Sequence, residues 1–218
     1  MAAALAILAL LVLPLVYRHD SNREKRRRRG YFTPVLPLLE SGRVTQRGMG
    51  WPVLEGRYRG QDIRLEPVMD DMAWRKLPSL WLKVTVLVPS PTRGTLGFLV
   101  RARGGEFYSP TMEMRHRLPV PPGWPTDALL CTDDARSAPL ALDMTVFDDP
   151  RMKELVITPR GVRLVYQAAQ AERAEYLVLR QARFRETQAD AELVRHLLDQ
   201  ALATMAAADA RHPVAAAA

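Results

Sequence analysis

The chain has 218 residues, of which 48% are apolar and 25% charged, with a formal charge of +7. These values exclude a wholly disordered, collagen-like or multi-span membrane protein and suit one or two domains with a real core. A single cysteine excludes an internal disulfide framework and a thiolate metal cage.

Residues 2–17 carry no charge. As a helix they would span about 24 Å, slightly short of a hydrocarbon core of roughly 30 Å. The expected reading is a transmembrane anchor over 1–17. A signal sequence would need a basic residue before the apolar run, and a soluble helix suits an RRRR flank poorly. Behind the run stand Arg18, Arg23, Lys25, Arg26, Arg27, Arg28 and Arg29, against only Asp20 and Glu24. By the positive-inside rule this places the body on the cytoplasmic face of a cell membrane, with the N-terminus outside. Tyr17 and the seven cations are then expected at the interface and on lipid head groups. Most of the excess charge lies here. The rest of the chain is nearly neutral, which argues against nucleic acid as a partner.

Residues 18–52 read as a basic juxtamembrane segment and a Pro/Gly-rich connector. The body, 53–207, then begins with strands. Residues 53–59 and 63–68 form an expected hairpin with alternating apolar residues. Residues 69–77 suggest a short helix or a crossover. Residues 80–88, LWLKVTVLV, are the strongest strand and should be central. A partner strand is expected over 95–102, making a hairpin with 80–88. Residues 103–126 read as a long loop, the kind of segment that covers a sheet edge or meets a partner. A short strand over 128–131 follows, then a helix from Ser137 to about 147. Residues 154–158 and 162–167 form a second hairpin around Pro159-Arg160-Gly161, and 175–184 suggest a third strand. The segment 187–207 is an amphipathic helix, with Thr187 as its expected N-cap and Leu193, Val194, Leu197, Leu198, Leu202 and Met205 on one stripe. The tail, 208–218, is expected to be disordered. The fold class is α+β: an N-terminal membrane helix, then a mostly antiparallel sheet with the C-terminal helix packed on it.

Chemistry-bearing patterns are scarce. The four histidines, at 19, 116, 196 and 212, show no zinc spacing. There is no nucleophile elbow, P-loop or dinucleotide fingerprint, so no catalytic residue, metal or cofactor is expected. Cys131 reads as a small buried residue. The pairs Asp70-Asp71, Asp133-Asp134 and Asp148-Asp149 fall at element boundaries, where Asp serves turns. The most unusual composition is 72–81, with two Trp and two cations. Trp74, Arg75 and Trp81, together with Phe107, Tyr108 and Trp124 of the long loop, are candidates for a partner interface.

Two functions are compatible with this pattern. One is a membrane-anchored, non-catalytic accessory or scaffolding subunit that meets lipids and a membrane-protein partner. The other is a membrane-tethered enzyme or small-ligand-binding domain with its site between the sheet and the 103–126 loop. A cleft with convergent polar groups favours the second, and a flat apolar patch favours the first.

Overall fold

A computed structural model describes residues 2–70, 77–90, 92–137, 142–179 and 182–210. A long helix, α1 (Ala2–Arg29), leads into nine strands: β1 (Ser41–Thr45), β2 (Val53–Tyr58), β3 (Gln61–Asp70), β4 (Ser79–Leu87), β5 (Leu96–Val100), β6 (His116–Leu118), β7 (Ala128–Thr132), β8 (Met152–Thr158) and β9 (Gly161–Gln170). Two helices, α2 (Arg173–Leu179) and α3 (Ala191–Ala210), follow. The strands form one antiparallel sheet in the order β1-β2-β3-β4-β9-β8-β5-β7-β6. The chain is therefore α+β, with its C-terminal helix laid on the sheet.

Alternation in the strands separates two faces. On one face Ile63, Leu65, Leu80, Leu82, Val84, Val86, Leu155, Ile157, Val162 and Leu164 join the main core. There α3 packs across β4 and β9 through Val194, Leu197, Leu198, Ala201 and Met205. The expected stripe thus covers the sheet. The helix is capped by Asp190 rather than Thr187. The Asp190 Oδ1 accepts the amides of Glu192 (2.9 Å) and Leu193 (3.3 Å), two of the orphan donors of the first turn.

The β8–β9 hairpin turns at the expected Pro159-Arg160-Gly161. A Cβ on Gly161 would lie 2.1 Å from the Val86 carbonyl oxygen, and the glycine sits at φ +152°. Only glycine lets β9 begin this close to β4. Gly161→Ala is expected to cost about 1–3 kcal/mol through overpacking against backbone, read as a lower urea midpoint with an unchanged slope. An unshifted midpoint would show that the two strands can separate freely here.

Several expectations are corrected. The strand β5 pairs with β7 and β8 instead of β4, because β3 and β9 already occupy both edges of β4. Residues 173–179 are helical, where 175–184 were expected to form a strand; Ala, Glu and Leu in this stretch favour helix over a pleated surface. Of the expected helix from Ser137, the described residues show only a 3-10 turn at Thr145–Asp148, and 138–141 lie outside them. The segment 69–77 continues β3 to Asp70, while 71–76 lie outside the described residues, as do 211–218 of the tail.

The N-terminal expectation is also overturned. Among the described residues no helix is long and apolar enough to cross a membrane. The uncharged run is short, and α1 continues through the basic residues that follow it. Its basic end is tied into the body. Arg27 Nη2 donates to the Phe184 carbonyl at 3.0 Å, and Arg28 Nη1 donates to the Met49 carbonyl at 2.7 Å. The Arg28 guanidinium also lies 5.2 Å above the Trp51 ring and bonds Glu24 at 2.9 Å. These findings overturn the expected placement of the body on a cytoplasmic membrane face with the N-terminus outside. Tyr17, Arg18, Arg23, Lys25, Arg26 and Arg29 are exposed, so only part of the basic run contacts the body. The connector is likewise part of the fold. Tyr31, Phe32 and Val35 are fully buried in the core, and the Tyr31 carbonyl accepts the Ala189 amide at 2.8 Å.

Candidate functional site

The second face of the sheet is where regular geometry breaks down. Leu80 pairs with Ala169 but Trp81 pairs with Gln167, so Ala168 is an extra residue in β9. Met152 pairs with Tyr166 but Glu154 pairs with Val165, so Lys153 is an extra residue in β8. A bulge lets two consecutive side chains serve one face. Met152 and Leu155 stay in the main core, while Lys153 and Glu154 both reach the strap of residues 101–114 that crosses the opposite face. The strap begins at Arg101, a non-glycine residue at φ +51°. Its guanidinium holds the Pro150 carbonyl at 2.9 Å and also bonds that of Met152. Non-glycine residues in left-handed conformation persist where surrounding contacts over-determine them, and they gather at functional sites.

Between the strap and the bulged strands lies a cleft of about 280 Å³. Its lining includes Asp70, Ser79, Trp81, Arg101, Arg103, Glu106, Tyr108, Arg151, Lys153, Gln167 and Gln170. At its base a buried ion pair joins Lys153 Nζ to Glu106 Oε1 at 3.1 Å, with the two residues 7% and 5% exposed. The Glu106 carboxylate also accepts the backbone amides of Arg103 (2.9 Å) and Gly105 (3.1 Å). Lys153 in turn donates to the Arg101 carbonyl at 2.7 Å. Burial alone would raise the Glu106 pKa; the Arg103 amide and the Lys153 ammonium outweigh it and hold it below the ordinary carboxylate value. The Gln167 Nε2 donates to Ser79 Oγ at 2.8 Å across the floor. Arg151 lies over the Tyr166 ring at 5.8 Å.

Beside the cleft the strap is pinned a second time. The fully buried Glu154 accepts the hydroxyls of Ser109 and Thr111, the latter at 2.6 Å. Thr111 reaches it because residue 97 is glycine: a Cβ there would stand 2.1 Å from Thr111 Oγ1. Burial pushes the Glu154 pKa up, opposed by the two hydroxyls and by Arg163. Its Oε2 has no hydrogen-bond partner among the described residues.

The structure brings some of the sequence candidates together. Trp81 and Tyr108 form a tilted stack with centroids 5.1 Å apart at 34°, and Phe107 meets Tyr108 edge-on at 5.6 Å. Trp124 is elsewhere, edge-on to Phe98 at 5.0 Å against the main core. Trp74 and Arg75 lie outside the described residues. Of the acidic pairs, Asp134 and Asp149 serve turns, accepting the amides of Arg136 (3.0 Å) and Arg151 (2.8 Å) two residues on, whereas Asp133 accepts the Thr95 amide from a distant strand end (2.6 Å) and Asp70 lies within β3 on the cleft wall. Cys131 is buried, which pushes its thiol pKa up. Among the described residues no group of three His, Cys, Asp or Glu is placed to hold a metal ion.

Sequence reasoning missed Glu106, Lys153 and Glu154. One signal was present: two adjacent charged residues at the start of an apolar strand, followed by Leu155-Val156-Ile157. No protein-family model, curated protein or solved structure shows a significant match to this chain.

Proposed function

We propose that this chain is a non-catalytic binding module that takes a small anionic molecule into the cleft between the sheet and the strap. The observation that carries this reading is the imbalance of the lining. Four cations, Arg101, Arg103, Arg151 and Lys153, face two acids, Asp70 and Glu106. Glu106 is already saturated by two amides and an ammonium. Among the described residues the Arg103 and Gln170 side chains at the rim have no hydrogen-bond or ion-pair partner, and Arg103 is exposed. Donors therefore remain for a ligand rich in acceptors, and arginine suits a planar oxyanion by its forked geometry. The module is read as non-catalytic because its buried ionisable pair is committed to holding the strap.

Titration of the purified chain with acetate and inorganic phosphate, followed by calorimetry and thermal shift, tests this. Either anion is expected to raise the unfolding midpoint and neutral acetamide is not. Arg103→Gln should weaken binding about tenfold, the loss of one charge-assisted contact. Equal responses to acetate and acetamide would sink the reading.

A second reading rests on a different surface. Leu13, Leu15, Val16 and Tyr17 of α1 are each more than half exposed, with Tyr17 at 72%. Such a run favours an accessory subunit whose partner protein covers the helix.

A further inference from the structure

We infer that the molecule bound in the cleft is a single-ring oxyanion, its flat ring along the Trp81–Tyr108 wall and its acid group toward Arg103. The inference rests on the binding reading above and names the ligand class.

Three observations carry it. First, size: about 280 Å³ lies just below the roughly 300–1,000 Å³ typical of drug-sized ligand sites. One ring with its acid group fits that space. Second, the wall: the 34° tilt between Trp81 and Tyr108 opens a wedge, and Trp81 is only half-buried although its strand neighbours Leu80 and Leu82 are fully buried. Phe107, 57% exposed, extends the same aromatic series outward. Offset or edge-on packing of a further ring on such a wall is favourable beyond the apolar area it buries. Third, the acid group: the Arg103 side chain lines the same cleft, is exposed and has no hydrogen-bond or ion-pair partner among the described residues, so its forked guanidinium is open to a carboxylate.

The test is a ligand series on the intact chain: benzoate, acetate, benzamide and inorganic phosphate, compared by calorimetry. Benzoate is expected to bind about tenfold more tightly than acetate, and also more tightly than benzamide. Trp81→Leu should abolish the advantage of benzoate over acetate, while Arg103→Gln should weaken both acids alike. If Trp81→Leu does not fold, upfield ring-current shifts of bound benzoate protons on the unaltered chain report the same contact. Equal affinities for benzoate and acetate would overturn the ring assignment and leave anion binding standing. Equal affinities for benzoate and benzamide would overturn the acid group. Failure of every anion to bind would overturn both this inference and the reading beneath it.

Discussion

Lys153→Met is expected to lower stability by about 3–5 kcal/mol, the usual cost of leaving one partner of a buried ion pair uncompensated. The methionine fills a similar volume, so little of the loss comes from packing. The Glu106 carboxylate keeps its two amide donors but loses the ammonium at 3.1 Å. The Arg101 carbonyl also loses its 2.7 Å donor. Adding Glu106→Gln should recover a large part of the loss, because a neutral amide no longer buries a charge. The pH dependence supplies a separate check. In the unaltered chain Glu106 sits below its ordinary pKa, so it contributes stability above the ordinary carboxylate range. That contribution is lost as pH falls through its depressed folded value. Without Lys153 one of the groups that holds it down is gone and the carboxyl moves upward. Acidification should then narrow the gap between variant and parent. A gap that stays constant from neutral pH to well below the ordinary carboxylate range would show that Lys153 acts through packing alone.

The sheet was readable because its strands carry period-two alternation, clearest in β3 and β4, and because the turn at Pro159-Arg160-Gly161 has its own chemistry. The C-terminal helix was readable from its stripe. Strand order was not. Nearness in sequence favoured pairing 80–88 with 95–102, whereas β4 pairs with β9, far along the chain. Loop-closure entropy penalises such pairings only weakly once a core rewards them. The site was half-visible. Trp81, Phe107 and Tyr108 stood out by composition and do meet. The groups that position them did not, because a β-bulge leaves no compositional mark and Glu106 finds Lys153 only through the tertiary fold. The basic run was misassigned for a related reason. A string of arginines reads alike whether it faces head groups or, as Arg27 and Arg28 do, backbone carbonyls of its own chain.

Glu154 gives the second large effect, and its variants should move stability in opposite directions. Glu154→Ala removes the acceptor shared by the buried hydroxyls of Ser109 and Thr111 and leaves a void beneath the strap. The expected loss is about 2–5 kcal/mol, since each unsatisfied buried group costs about 1–3 kcal/mol and the cavity adds to it. Glu154→Gln keeps an acceptor for both hydroxyls and removes the charge. It should raise stability at neutral pH by about 1 kcal/mol. The sign follows from the raised pKa of Glu154, whose first cause is burial. As pH rises from the ordinary carboxylate range toward the raised folded value, the unfolded chain releases this proton first and the native state loses stability. The amide variant escapes that loss. Its advantage should therefore be small in acid, grow across that window and level off above it. Lys83 on β4 and Arg163 on β9 are the cations that act on this carboxyl from neighbouring strands, and both favour its charged form. Neutralising Arg163 as Arg163→Gln should accordingly widen the advantage of Glu154→Gln. Urea midpoints for parent, Glu154→Gln and Glu154→Ala across this range decide the matter. An advantage of Glu154→Gln that does not change with pH would mean that Glu154 titrates alike in the folded and unfolded chain, and that the strap is held by shape rather than by a buried acid.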